Sequence, residues 1–279
     1  MMSQSQLPVR KADVESGTSR DLYPMMLESP ELRWSFIRKV YSIVAIQLLL
    51  TVAVGAVVVS YRPIVTFLTT TTGGLACYIL LIITPFITLC PLYYYHQRHP
   101  INYFLLAIFT ASLAFAVGLT CAFTKDMLRF LFCVGKPINR STLINRIDCS
   151  YCLTILIAGK VILEAAILTA VVVVSLTLFT FWAARRGYDF NFLGPFLFGA
   201  LMVLFVFSLI QLFFPLGKTS TMIYGCLGAI IFCGYIVYDT DNLIKRYTYD
   251  EYIWAAISLY LDILNLFMSL LTILTGADD

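Results

Sequence analysis

Residues 230–274 read IIFCGYIVYDTDNLIKRYTYDEYIWAAISLYLDILNLFMSLLTIL. Two apolar arms flank a short polar turn centred on Asp250-Glu251. The first arm ends a run, 219–238, that holds no Asp, Glu, Lys or Arg; in the second, 252–277, Asp262 is the one interruption. A bilayer core about 30 Å thick takes roughly 20 apolar residues as a helix. The stretch therefore predicts a hairpin of two membrane-spanning helices.

Working back along the chain, further charge-free runs cover 40–61, 63–97, 99–124, 165–184 and 190–217. Together with the hairpin they predict seven spans, near 37–59, 74–95, 101–123, 160–182, 192–214, 219–240 and 253–274. Composition agrees. Of 279 residues, 60% are AVILMFWYC and only 13% are charged, against roughly 45–50% and 25% in soluble domains. Mean hydropathy is +0.86, which also excludes a disordered chain. Open sheet is excluded in lipid, and barrel strands alternate in polarity; Val171-Val172-Val173-Val174 does not. The expected fold is all-α: a polytopic membrane protein built as a seven-transmembrane-helix bundle. A scattered net charge of +3 gives no basic face for nucleic acid. Eight Cys, most inside apolar runs, are no disulfide framework.

Residues 1–33 read as a flexible cytosolic tail with no apolar signal region, followed by the seven-helix domain over 34–275. Lys and Arg set the orientation. With the N-terminus cytosolic, eleven fall on the cytosolic side (Arg10, Lys11, Arg20, Arg33, Arg38, Lys39, Arg98, Arg185, Arg186, Lys245, Arg246) and eight opposite. Five of those eight lie in 125–158; without that segment the ratio is eleven to three. The segment also carries Cys149-Ser150-Tyr151-Cys152 and the sequon Asn139-Arg140-Ser141. A lone CxxC lacks the second pair that a structural zinc site needs, and a sequon is usable only in a lumenal loop. The segment reads as an atypical insertion, a poorly ordered loop between two helices.

A carboxylate at membrane depth costs about 2.5–3.5 kcal/mol on insertion scales, so Asp262 needs a partner, a proton, an ion or a wet cavity. Asp239 precedes Asp250 by eleven residues, and Asp262 follows Glu251 by eleven. In two helical arms each carboxyl sits about 17 Å from the turn, so the two lie level and can face each other. Two close carboxylates cannot both ionise freely and share a proton; ionised, they form an oxygen-rich cation site. Asp241 reads as a solvated neighbour. His96 and Arg98, in Tyr95-His96-Gln97-Arg98-His99-Pro100, read as positive-inside anchors or as a basic latch reaching the carboxylates. Lys160 and Glu164 are spaced to pair on one helix turn. Gly225, Gly228 and Gly234 suit close helix packing. No HExxH, GxSxG or phosphate-binding glycine loop occurs, and two His leave little for metal catalysis; neither an enzyme nor a metal site or cofactor is expected.

The 230–274 block resembles the signature of the transmembrane Bax-inhibitor-motif family and is most similar to its plant LIFEGUARD branch. The stretches LESPELRWSFIRKVYSIVAIQLLLT, LYYYHQRHPINYFLL, GLTCAFT, GKVILEA and TFWAARRGYDFNFLGPFLFGA resemble it too. The resemblance implies a seven-span protein of the endoplasmic reticulum or another endomembrane that restrains programmed cell death. Bacterial relatives imply a pH-sensitive calcium leak whose paired-aspartate sensor falls on Asp239 and Asp262 and whose latch position falls on His96, with Arg98 two residues on. The implied partners are the lipid bilayer, calcium ions, protons and membrane proteins of the death pathway. The family pattern runs CAFT almost directly into GKVILEA, whereas here 34 residues separate Thr124 from Gly159; a translated intron is the first explanation and a lineage-specific loop the second. A non-conducting scaffold and a seven-helix receptor are the competing functions. Asp262 favours the leak, because a scaffold has little need of a buried acid.

Overall fold

The computed structural model describes residues 29–61, 63, 66–68, 71–95, 100–134, 143–214 and 217–277, with the backbone alone at 72, 75, 124–134, 143–158 and 212. Seven long helices follow in order: α1 (Pro30–Ser60), α2 (Thr72–Tyr95), α3 (Ile101–Val134), α4 (Leu143–Arg185), α5 (Leu193–Phe213), α6 (Lys218–Lys245) and α7 (Tyr252–Ala277), with a 3-10 turn at Tyr249–Glu251 before α7. Among the described residues, seven helices are long and apolar enough to cross a membrane. The fold is the expected all-α polytopic bundle.

The first span begins earlier than 37. Pro30 starts α1, where its fixed φ and missing N–H suit a first helical turn. The helix thus takes in 30–33, which the sequence placed in the tail. Pro85 and Pro91 lie inside α2 and leave Leu81 O and Ile87 O without the usual N–H from four residues on, which membrane helices tolerate; the nearby threonine hydroxyls bond other carbonyls of the same stretch. The Thr84 hydroxyl donates to Leu80 O at 2.7 Å, and that of Thr88 reaches Thr84 O and Pro85 O at 3.0 and 2.9 Å. The backbone of α3 and α4 enters the 125–158 segment from both sides, where a loop was expected. Asn139 lies outside the described residues, as do the side chains of Cys149 and Cys152.

The most buried helix is α7, which packs on α6, α4, α1 and α3. Tyr260, Leu259, Ile253 and Leu266 of α7 join Ile236, Leu243 and Ile244 of α6, Val40 of α1 and Phe109 of α3 in one core. Lipid gives no hydrophobic drive between helices, so close packing and hydrogen bonds select the arrangement. The polar ties run Gln47 Nε2 to Thr110 Oγ1 at 3.0 Å, Thr51 Oγ1 with Tyr260 OH at 2.7 Å and Asn102 Nδ2 to Tyr252 OH at 3.1 Å. A Cβ built on Gly118 of α3 would stand 3.0 Å from Gly55 Cα of α1.

Candidate functional site

Small residues on α6 bring the hairpin arms together. A Cβ on Gly225 would meet Ile273 Cγ1 at 2.9 Å, and one on Gly228 would meet Ser269 Oγ at 2.7 Å. Gly234 does the same for α5, with Leu197 Cδ2 at 2.7 Å. The sequence assigned all three to packing, and they have that role.

With the arms in contact, Asp239 and Asp262 meet. Their carboxyls neighbour each other across the hairpin and interact electrostatically. Asp262 is 7% exposed, and its Oδ2 is buried without a hydrogen-bond partner among the described residues. Asp239 is half-buried, with the side chains of Ser258 and Asn242 beside it. Ser258, whose hydroxyl donates to Ala255 O at 3.3 Å, also neighbours Tyr247, in the turn after α6. Tyr235 interacts electrostatically with both carboxyls.

The sequence reading missed Ser258, Asn242 and Tyr247. Ser258 precedes Asp262 by four residues and so shares its helix face, a signal that was available; Tyr247 gave none. Burial pushes the Tyr247 hydroxyl up to about 12, although neighbouring Ser258 acts the other way and the charges of Asp239, Glu251 and Asp262 add to the rise.

Arg33 is not a solvated anchor of a tail. It is 2% exposed. Its Nε donates to Ile244 O at 2.8 Å and its Nη1 to Tyr247 O at 2.6 Å, carbonyls at the C-terminal end of α6 that no helix turn follows to satisfy.

Asp241 is likewise not solvated. Two residues past Asp239 on a helix, it points to the opposite side of α6 and is 1% exposed. Its carboxylate pairs with Lys245 Nζ at 2.6 Å and accepts from Phe190 N at 3.2 Å. Phe190 belongs to the α4–α5 connection, turned by Gly187 at φ 82°. Lys245 also donates to Tyr188 O, and Arg246 reaches Asp189 at 2.8 Å and Asn191. The connection is thus clamped to the end of α6. Partial burial raises the Asp189 carboxyl, but the Asn191 N–H and then the Arg246 guanidinium outweigh it, with Asp241 and Lys245 adding to them, and hold it below its ordinary value.

Lys160 and Glu164 do pair, at 3.6 Å, with side chains 74% and 45% exposed; such pairs contribute little. His96 and Arg98 lie outside the described residues. Among the described residues no group of three or more His, Cys, Asp or Glu is placed to hold a metal ion. The site is therefore a pair of neighbouring carboxyl groups at membrane depth, one of them buried.

The family model described as "Inhibitor of apoptosis-promoting Bax1" matches residues 33–134 and 143–279, leaving 135–142 unmatched inside the insertion segment. The chain is 66% identical over 275 residues to Protein LIFEGUARD 4 of Arabidopsis thaliana, covering 98% of each. It is 32% identical to Protein lifeguard 4 of Mus musculus, over 90% of this chain and 88% of that one. It is also 32% identical to the Golgi anti-apoptotic protein of Vaccinia virus (strain Lister), over 88% and 87%.

Proposed function

The chain belongs to the family of inhibitors of apoptosis-promoting Bax1, and from that premise we propose that it suppresses programmed cell death from an endomembrane, by a pH-sensitive calcium leak gated by Asp239 and Asp262. The names of its relatives, LIFEGUARD and Golgi anti-apoptotic protein, support the anti-death role. The observation that carries the leak is the contact between two carboxyl groups at membrane depth, one of which keeps a buried oxygen without a partner.

Protonated, the pair is neutral, joins α6 to α7 and draws no cation. As the proton leaves, two carboxylates repel across the hairpin and offer oxygens to a divalent ion. The leak therefore rises as pH rises. No catalytic step and no bound cofactor enters this reading; calcium is cargo. The N-terminus lies in the cytosol, following the eleven-to-three distribution of Lys and Arg.

The test is calcium flux into proteoliposomes over a range of pH, wild type beside Asp239→Asn and Asp262→Asn. Each single variant loses most of the pH response. Wild-type flux at every pH in both variants sinks the proposal. Absence of flux at any pH, with death suppression surviving Asp262→Asn, supports the scaffold instead. Protease protection in microsomes tests orientation: a cleaved C-terminal tag beside a protected N-terminal one reverses it.

A further inference from the structure

Side-chain amides inside a bilayer tie helices together, and three here do so. Gln47 of α1 bonds Thr110 of α3, Asn102 of α3 bonds Tyr252 of α7, and Gln211 of α5 bonds Ser220 of α6. Asn265 of α7 does not. Its Nδ2 donates to Leu261 O of its own helix at 2.9 Å, and its Oδ1 has no partner among the described residues. Asn265 stands thirteen residues from the start of α7 and twelve from its end, so it lies at mid-membrane depth. It is also the one exposed residue of α7 before Ala277. Leu261, Met268 and Thr272, on the same face, are half-buried, and Leu264 and Leu266 beside it are buried. A helix turned to lipid exposes a whole stripe at helical spacing; one exposed side chain ringed by covered ones lies at the floor of an opening in the bundle. Hydrocarbon there would leave the amide oxygen and one N–H unanswered, a heavy penalty, so the opening is wet. Toward the α6–α7 turn the same face is covered: Trp254, three turns earlier, stands edge-on to Tyr93 of α2 at 5.8 Å. The opening therefore leads to the other side of the membrane.

Asp262 precedes Asn265 by three residues, which makes them neighbours on the helix surface, with Cβ atoms about 5–6 Å apart. Asp262 is nine-tenths buried, and its Oδ2 has no hydrogen-bond partner among the described residues. An exposed neutral oxygen thus stands one helix turn from a buried acidic one. We propose that Asn265 and Asp262 form one cation site, in which the amide oxygen receives the ion at the floor of the opening and hands it to the carboxylate. Both groups are hard oxygen donors. Carboxylate, amide carbonyl and water are the ligands that calcium takes, at 2.3–2.6 Å, and water from the opening fills the positions that the two side chains leave. A neutral donor on the wet side keeps binding weak enough for the ion to leave again, as conduction requires.

The site deepens the leak proposed above and rests on that reading for its ion, so it is tested first without flux. Full-length Asn265→Cys and Ile230→Cys proteins in lipid nanodiscs are treated with a membrane-impermeant cationic thiol reagent, and mass spectrometry counts the modified peptide. Ile230 of α6 is 71% exposed and faces lipid, so its cysteine stays unmodified, whereas Asn265→Cys reacts. Saturating calcium slows that reaction, and adding Asp262→Asn removes the protection. In proteoliposome flux, Asn265→Leu raises the half-saturating calcium concentration by about tenfold, the low end of what losing one supporting group costs a metal site, and Asn265→Asp lowers it. An unreactive Asn265→Cys overturns the site, as does calcium protection that survives Asp262→Asn. A dimer lost in Asn265→Leu also overturns it, by making the amide a tie between two copies of the chain. Calcium-protected labelling without any flux leaves the site standing and removes the leak. Flux with wild-type calcium dependence in Asn265→Leu keeps the leak and removes the site.

Discussion

Arg33 Nε donates to the Ile244 carbonyl at 2.8 Å, so the first turn of α1 caps the end of α6, 211 residues later in the chain. The charge of Arg33 meets the negative end of the helix dipole, and its stem packs with its guanidinium 5.7 Å from the Phe36 ring. The hairpin that carries the acid pair is anchored at its turn by the opposite end of the chain.

Arg33→Ala removes the donor from two carbonyls and leaves a buried gap. Hydrogen bonds to charged groups contribute about 1.5–3 kcal/mol, so the variant loses about 2–3 kcal/mol. Arg33→Lys recovers part of it, because an ammonium cannot reproduce the guanidinium fork. Thermal unfolding in detergent measures both. An Arg33→Ala protein as stable as wild type means the contact is incidental.

The α4–α5 clamp depends on pH through Asp189. A carboxyl held below its ordinary value in the fold adds stability that is fully present above its unfolded value, about pH 4, and lost as pH falls through the lower folded value. The gap in unfolding temperature between wild type and Asp189→Asn is therefore constant above about pH 4 and closes below it. Asp189 is 57% exposed on its side chain, so the gap is small and shrinks with added salt. A gap that widens on acidification contradicts the assignment.

Much of this was legible in the sequence because lipid simplifies the rules. Charge-free runs locate helices whatever their neighbours, and equal spacing from a turn sets two carboxyls level. Arg33 and Asp241 were misread for the same reason in reverse. Hydropathy and charge counts place a residue along the membrane normal but do not say which helix end faces it. Asp241 and Lys245 are four residues apart, an ion-pair spacing that was there to read; what buries them is the α4–α5 connection folding back, a tertiary event. Tyr247 becomes a neighbour of Ser258 only when the turn brings it there.

Gly228 tests the packing that brings the acids together. An alanine Cβ there would stand 2.7 Å from Ser269 Oγ, and overpacking of this kind costs about 1–3 kcal/mol. Gly228→Ala is destabilised by that amount, and the double variant Gly228→Ala with Ser269→Ala recovers most of it, since the clashing oxygen is gone. Gly199→Ala, where a Cβ meets nothing within 4 Å, is neutral or slightly stabilising. Equal losses at Gly199 and Gly228 would mean that helix propensity in the bilayer, not the α6–α7 contact, sets the effect.

Residues 125–158 are expected to be dispensable. Cys121 of α3 and Val161 and Ala165 of α4 share one buried cluster with Leu271 of α7, so the two helices are already neighbours where the membrane spans end, at Phe123 and begin again at Gly159. Packed helix axes are about 8–10 Å apart, and antiparallel neighbours are joined by loops of about 2–5 residues. A short glycine-containing linker from Thr124 to Gly159 can therefore close the connection without moving either span. It also removes Lys125, Arg129, Lys136, Arg140 and Arg146 from the side that the orientation rule keeps poor in positive charge. The joined protein is expected to be expressed at least as well as the full chain, with an equal or higher unfolding temperature in detergent. Peptide mass spectrometry of native tissue is expected to find mainly the joined form. Abundant native peptides from 125–158, together with loss of folding on deletion, would instead make the segment a structural part that α3 and α4 require.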